Sequence, residues 1–211
     1  MGIFALEHGK AAYMADHVIY GILLALLLLT LSTAWTHVPG LEMIALPLMG
    51  LISWSLIEYL LHRFVLHGFQ PFKGWHAAHH TRPQALIFTP TIISLTLIVM
   101  LIFLPAMAVA GAWRAGALTV GIMAGYLAYS ITHHAIHHWH AKNNWWRRRK
   151  LWHALHHQQA EPSGYYGVTT AFWDQLFSKD RRRPRTAVPA HGHEPPCLRS
   201  NGFRKLRRRP H

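Results

Sequence analysis

Residues 41–67, "LEMIALPLMGLISWSLIEYLLHRFVLH", join a long apolar run directly to two histidines. A transmembrane helix needs about 20 predominantly apolar residues, and residues 41–61 meet that requirement. Three more stretches, at 18–35, 85–112 and 117–132, come near the same length and character. Because no stretch alternates between apolar and polar residues as a strand does, the sequence predicts an all-α integral membrane protein with four transmembrane helices.

The composition of the 211-residue chain agrees with a membrane protein, since 51% of its residues are apolar and only 14% are charged. Soluble domains carry about 25% charged residues. The single cysteine, Cys197, cannot form an internal disulfide. We therefore expect neither a soluble fold nor thiol chemistry.

The cations are distributed unevenly between the two sides of the predicted spans. Arg63, Lys73 and Arg82 lie between the second and third stretches, and residues 147–150 follow the fourth, whereas the opposite side has little more than Arg114. Loops rich in Lys and Arg stay in the cytoplasm. We predict a multi-pass protein with both termini and every histidine-rich segment on the cytoplasmic side. The compact chain, which lacks a lysine-based retrieval signal, favours the bacterial inner membrane.

The last 31 residues differ in character from the rest of the chain. Residues 181–211 contain ten Lys or Arg, one Glu and five prolines, a composition that cannot form a core. We predict a membrane-embedded domain at 1–180 and a basic, disordered tail at 181–211. The tail would be attracted to anionic lipid headgroups rather than to nucleic acid, and the alternative is a solvated tail without a role.

Thirteen histidines between residues 62 and 157 form four groups: "HRFVLH" (62–67), "WHAAHH" (75–80), "HHAIHH" (133–138) with His140 just after it, and "WHALHH" (152–157). On a helix, positions i, i+3 and i+4 share one face. Each "WHAxHH" segment can therefore direct three imidazoles toward one site. "HHAIHH" offers two alternative pairs with a spacing of four, His133 with His137 or His134 with His138. The step of five from His62 to His67 requires either two different metal ions or a helix end between the two residues.

This set of histidines predicts a metal site. Neutral imidazole is a common ligand of iron, zinc, copper and nickel, and about ten imidazoles exceed the four that one tetrahedral zinc ion needs. We predict two metal ions held close together by a cytoplasmic helical cap, with almost purely nitrogen ligands. A histidine-rich metal transporter is the alternative outside the enzymes, but it would need polar groups through the membrane depth, and here the histidines gather at one side.

Over residues 56–177 these motifs resemble the membrane-bound fatty acid hydroxylase and sterol desaturase superfamily, whose members use a histidine-rich dimetal site, taken to be iron, with O2. The segment "GYYGVTTAFWDQLF" (164–177) is similar to the closing segment of that family, and "ALIFTPTIISL" (85–95) is similar to its fatty acid hydroxylase branch. The resemblance implies ten metal ligands: His62, His67, His76, His79, His80, His133, His137, His153, His156 and His157.

The resemblance also implies the reaction and its components. The cofactors would be two iron ions, with O2 as co-substrate, and the substrate would be a membrane lipid, with a fatty acyl chain as the hydroxylated group. Many eukaryotic members carry a fused haem domain for which this chain has no room, so the electrons would come from a separate electron-transfer protein. Desaturation, or oxidation of a sterol or carotenoid, is the alternative outcome at the same site.

Glu58 and Asp174 are two of the few acidic residues near the histidines in the sequence, and we consider them as catalytic residues that support the site. Glu58 precedes His62 by four residues, so its carboxylate would orient that imidazole or pair with Arg63. Asp174 would fix the tautomer of a ligand or form a salt bridge with a nearby cation. The run "WWRRRK" (145–150) is either an anchor at the membrane surface or a docking face for an acidic electron donor or lipid headgroups.

Overall fold

The structure is a computed structural model that describes residue 7 and residues 9–33, 40–87, 89–158 and 164–177. Within these residues the fold is helical, as the sequence predicts, and the only extended pairing is an isolated bridge between Glu7 and Ile87. The predicted tail lies outside the described residues. The helices are α1 (Lys10–Thr33), α2 (Gly40–Leu60), α3 (Phe72–Thr81), α4 (Thr91–Ile98), α5 (Leu104–His138), α6 (Asn144–Gln158) and α7 (Phe172–Phe177). A π-helical turn, Leu61–Leu66, extends α2, and a second, Val99–Phe103, joins α4 to α5.

Three continuous helices among the described residues are long and apolar enough to cross a membrane: Lys10–Thr33, Gly40–Leu66 and Thr91–His138. The sequence predicts four. The difference arises in the last helix, because its 48 residues include the fourth predicted stretch and most of the third.

The chain nevertheless reverses direction inside Thr91–His138. Gly111 has φ 83° and ψ 162°, which lie outside the helical region and suit glycine because it has no Cβ. On one side of Gly111, Ser94 hydrogen-bonds to Tyr20 at 2.7 Å; on the other side, the Tyr126 ring lies 4.5 Å from the Tyr20 ring. A straight helix would separate Ser94 and Tyr126 by about 48 Å. The segment is therefore a hairpin with arms at 91–110 and 112–138.

The helices pack around a small core made of Tyr20, Trp54, Ile98, Ile122 and Met123. Backbone contact between α2 and α5 adds to this packing. A Cβ at Gly121 would overlap the carbonyl oxygen of Pro47 and approach the Leu51 nitrogen to 2.6 Å. Small residues of this kind allow close approach of membrane helices. The approach fixes the end of α2 relative to the end of α5, and both ends carry histidines.

Candidate metal centre

The structure brings nine of the ten predicted ligands into two groups, in each of which the possible ligand atoms lie within 4.8 Å of one another. The first histidine group consists of His62, His67, His76, His80 and His156. The second histidine group consists of His79, His133, His137 and His153. Each group draws its members from at least three helical segments, so the site exists only in the folded chain.

The π-helical turn at the end of α2 explains the step of five between His62 and His67. Hydrogen bonding in a π-helix runs from i to i+5, so residues five apart lie near one face. His67 forms the C-cap of this turn, and its ring centroid lies 5.4 Å from that of His62. Of the two alternatives, the structure places a helix end at His67 and puts both residues in the same group.

The imidazoles of each "WHAxHH" segment reach both histidine groups. On α3, His76 and His80 join the first group, whereas His79 joins the second. On α6, His156 joins the first group and His153 the second. Positions i, i+3 and i+4 span about 100° around a helix. Because the two groups adjoin, imidazoles within this angle reach one group or the other.

His157, the tenth predicted ligand, lies beside both groups. Its Nε2 atom is 3.0 Å from Nε2 of His153, and its ring stacks on that of His80 with the centroids 4.2 Å apart. It is therefore close enough to join the second group.

The structure separates the two alternative pairs of "HHAIHH". His133 and His137 belong to the second group. His134 instead places Nδ1 3.1 Å from the Tyr13 hydroxyl and stacks on His138 with centroids 4.4 Å apart. The pair that the family resemblance includes among the ligands, His133 with His137, is therefore the pair that lies in the second group.

The distances inside the groups fit metal ligation. Four Nε2–Nε2 distances in the first group are 3.0 to 3.1 Å, and that between His137 and His153 in the second is 2.8 Å. Nitrogen ligands about 2.1 Å from a metal ion and at right angles would lie about 3.0 Å apart. Among the residues that the structure describes, neither buried ring nitrogen of His79 has a hydrogen-bond partner, which is costly unless something else binds them. The donor set therefore suits two metal ions.

The electrostatic environment keeps the imidazoles outside the spans in the form that binds metal. Burial, reinforced by neighbouring imidazoles, lowers the pKa of His79, His156 and His157 to about 3 each, because burial disfavours the cation. These rings are neutral near pH 7, and each has a free nitrogen lone pair for a metal.

The backbone of the segment at 164–177, which we call the closing segment, orients two ligands of the first group. Nδ1–H of His62 donates to the carbonyl oxygen of Tyr166 at 2.5 Å, and Nδ1–H of His156 donates to that of Gly164 at 3.0 Å. Each bond leaves Nε2 as the metal-facing nitrogen and fixes the ring orientation. The sequence did not reveal these two carbonyl groups, since a backbone acceptor leaves no side-chain signal.

Glu58 and Asp174 act on the closing segment rather than on the histidines. Glu58, 3% exposed, accepts hydrogen bonds from the backbone N–H groups of Val168 and Thr169 and from the Thr169 hydroxyl. The contacts predicted with His62 or Arg63 are not those that its carboxylate forms. Asp174 accepts from the N–H groups of Tyr166 and Gly167, both at 2.8 Å. Burial raises the pKa of Asp174.

A cavity of about 100 Å³ adjoins the second group. Its wall includes the histidines His76, His79 and His133 and the hydroxyl-bearing residues Tyr13, Thr89, Tyr126, Tyr129 and Ser130. The Tyr129 ring stacks on His133 with centroids 5.8 Å apart. No sequence motif marks these hydroxyl residues, although Tyr126, Tyr129 and His133 recur at helical spacing. The cavity can receive a group that carries polar atoms and place it beside the imidazoles.

Comparison with known proteins identifies the family of the chain. The family model "Fatty acid hydroxylase" matches residues 47–179. The chain is 34% identical over 139 residues to dihydroceramide fatty acyl 2-hydroxylase FAH2 of Arabidopsis thaliana, a match that covers 61% of this chain and 57% of that protein. It is 33% identical over 165 residues to fatty acid 2-hydroxylase of Homo sapiens, covering 70% of this chain and 41% of that protein. The chain thus spans about half the length of these relatives.

A solved structure has the same fold. The structure described as "Full length scs7p (only hydroxylase domain visible)" superimposes with a TM-score of 0.67 at 25% identity, over 79% of this chain and 65% of that one. The family match covers all ten predicted ligands together with Glu58 and Asp174.

Proposed function

This chain belongs to the fatty acid hydroxylase family, and on that premise we propose that it is an O2-dependent oxidoreductase that hydroxylates the acyl chain of a membrane lipid. The observation that carries the proposal is the pair of adjoining histidine groups beside a cavity at one end of an apolar helical bundle. A nitrogen-rich pair of sites suits redox chemistry, since imidazole ligates iron without adding charge.

Two iron ions are the proposed cofactors. The first histidine group would hold one ion, and the second group together with His157 would hold the other. Iron bound there would supply the reduction of O2 and the oxidation of a C–H bond. The chain's own part is to fix the imidazoles through the closing segment, to exclude water by burial, and to aim one carbon of the lipid.

The proposed reaction is hydroxylation at carbon 2 of the acyl chain. The names of the relatives from Arabidopsis thaliana and Homo sapiens specify 2-hydroxylation. Carbon 2 adjoins the carbonyl group of an acyl chain, so a site for this carbon must accept polar atoms near the metals. Tyr13, Tyr126 and Tyr129 line the cavity, and a tyrosine hydroxyl can hydrogen-bond to such atoms, while the acyl chain would extend toward the apolar helices.

We propose that both arms of the hairpin in Thr91–His138 cross the membrane, which gives four spans. The arms at 91–110 and 112–138 are about 30 and 40 Å long at 1.5 Å per residue, enough for a hydrocarbon layer of about 30 Å. The positive-inside rule places the histidine end and both termini in the cytoplasm. The relatives named above are eukaryotic and give no support to a bacterial inner membrane, which stays a prediction from the sequence, as does lipid binding by the tail.

The electron donor is proposed to be a separate acidic protein that docks on α6. Of the four consecutive cations of this helix, only Arg147 and Arg148 are exposed. Arg149 packs over the ring of Trp152 at 4.4 Å, and Nζ of Lys150 donates to the Ile136 carbonyl oxygen at 2.5 Å. The docking face would therefore be smaller than the sequence suggests, and it lies on the helix that carries His153 and His156.

We expect the double variant Arg147→Glu/Arg148→Glu to lower donor-dependent turnover at low salt by about tenfold or more, because reversed charge slows electrostatically steered encounter. Turnover driven by a small chemical reductant should stay the same. The double lysine variant, which keeps both charges, is the control. Equal turnover of the glutamate and lysine variants with the protein donor, at normal membrane insertion, would exclude docking at this face.

The proposed reaction is tested with isotopically labelled O2. Purified protein loaded with iron is reconstituted with ceramide-containing vesicles, a reductant and a donor, and the lipids are analysed by mass spectrometry. We expect a labelled hydroxyl group at carbon 2 of the acyl chain. No labelled product should form after a chelator has removed the metal from the protein. A new double bond without label would assign a desaturase, and unchanged lipids at full iron loading would contradict the proposal.

A further inference from the structure

The short helix α7 presents an apolar surface on the outside of the molecule. Phe172, Leu176 and Phe177 are 56%, 58% and 48% exposed. The one charged residue of the helix, Asp174, is buried and bonded to the closing segment. Three large apolar side chains exposed on a six-residue helix need a partner.

The contacts of α7 fix its position along α2. The indole N–H of Trp173 donates to the Ser55 hydroxyl at 3.0 Å, and the Phe177 ring stacks on that of Tyr59 with centroids 5.7 Å apart. Ser55 and Tyr59 both lie inside the candidate span Gly40–Leu66. Helix α7 therefore lies against a membrane-spanning helix, away from its end.

Helix geometry gives the depth of the contact between α7 and α2 below the surface of the hydrocarbon layer. The span of 27 residues is about 40 Å long, and a hydrocarbon layer is about 30 Å thick, so about 10 Å of helix protrudes. Ser55 precedes Leu66 by about 16 Å along the axis. If all of the roughly 10 Å of α2 that exceeds the hydrocarbon thickness protrudes at the histidine end, Ser55 still lies about 6 Å below the hydrocarbon surface.

The surface of α2 on either side of this contact is also apolar and exposed. Ile52, Leu60 and Phe64 are 66%, 40% and 52% exposed, as expected of residues that face lipid. The guanidinium group of Arg63 lies 5.2 Å from the Phe64 ring centroid and donates to the Tyr59 hydroxyl at 2.5 Å. A cation at the histidine end of this apolar surface matches the boundary between hydrocarbon and headgroups.

We propose that α7 is a membrane-embedded anchor, in which Phe172, Leu176 and the part of Phe177 that Tyr59 leaves exposed contact the acyl chains of the bilayer. Two hydrogen bonds connect α7 to the candidate metal centre. Asp174 of α7 accepts from the N–H group of Tyr166, and the carbonyl oxygen of Tyr166 accepts from His62. The lipid contact thus holds the closing segment against α2 at the depth where that segment meets the first histidine group. This inference concerns how the chain meets the bilayer and does not depend on the reaction that it catalyses.

The proposal is tested by measuring the membrane depth of α7. In a Cys197→Ser background, the full chain is given one nitroxide label at Leu176→Cys and reconstituted in vesicles of phosphatidylcholine and phosphatidylglycerol. Collisions with O2, which concentrates in hydrocarbon, are compared with collisions with a neutral nickel chelate, which stays in water. Ile52→Cys, on the exposed face of α2, is the lipid control, and Lys142→Cys, between α5 and α6, is the water control.

We expect the label at position 176 to behave like that at 52, with O2 collisions exceeding chelate collisions several-fold. A ratio like that at 142 would show that α7 lies in water. Low collision rates with both reagents would show that protein, rather than lipid, covers the face. Either result overturns the proposal. Phe172→Cys gives a second reading if the first variant does not fold, as judged by size-exclusion chromatography.

Discussion

His133→Ala is expected to reduce the proposed hydroxylation by at least about 100-fold and to remove one of the two proposed iron ions. His133 belongs to the second histidine group, and its removal takes away a ligand as well as the ring on which Tyr129 stacks. Even residues that only orient ligands contribute 10–100-fold to metal affinity or activity, so a ligand should contribute more. Labelled product and iron content, measured by mass spectrometry, test the expectation.

His134→Ala is the matched control, because it changes the same residue type one position along the same helix. Its imidazole faces the Tyr13 hydroxyl and His138 instead of the site, so this variant should keep two iron ions and most of its turnover. The reverse outcome, with His134→Ala inactive and His133→Ala active, would show that the other pair of "HHAIHH" supplies the ligands. A variant that elutes as aggregate says nothing about ligation, so His137→Ala and His138→Ala provide a second matched pair.

The sequence predicts much of this fold because a membrane restricts what an apolar chain can do. Backbone groups in lipid must be satisfied within the segment, so apolar stretches of sufficient length imply helices. The reversal at Gly111 lies where the third predicted stretch ends, in the segment "GAWRAG" (111–116) that the sequence predicts as a tight turn, and helical dihedral angles continue on both sides of this one residue. Counting apolar stretches gives four segments where the continuous helices number three among the described residues.

The ligand types were predictable, but their assignment to two groups was not. Spacing places His76, His79 and His80 on one side of α3, and no spacing rule says that the boundary between the two histidine groups crosses that side. The boundary depends on how α3 packs against α5 and α6. The ring centroids of His79 and His133 lie 4.7 Å apart. This contact joins residues 54 positions apart in the sequence, so local spacing cannot predict it.

Glu58 illustrates the same difficulty. Local spacing pairs it with His62, four residues away, yet its carboxylate binds the closing segment 110 residues later. A carboxylate that accepts bonds from two N–H groups and a hydroxyl satisfies three donors at once. The sequence could identify the acid but not its partner, because the partner is a backbone segment that comes near Glu58 only in the folded chain.

Glu58→Gln is expected to weaken iron binding by the first histidine group by about 10- to 100-fold, the range for residues that orient ligands. The amide oxygen can still accept from the Val168 and Thr169 N–H groups, and the NH2 group can donate to the Thr169 hydroxyl, but the negative charge that strengthens these bonds is lost. The closing segment then no longer holds the Tyr166 carbonyl oxygen firmly against His62. Iron titration against a chelator should show one weak and one unchanged binding step, and turnover should recover partly in excess iron.

Glu42→Gln is the matched control, since it makes the same change at the other end of α2, where the exposed Glu42 pairs with Arg114 at 2.7 Å. This variant should bind two iron ions normally. The combination Glu58→Gln/His133→Ala should bind neither ion tightly, because each change weakens a different group. If Glu58→Gln instead weakens both steps equally and lowers the unfolding temperature, Glu58 stabilises the bundle as a whole, and its role as a positioning residue for the first histidine group is wrong.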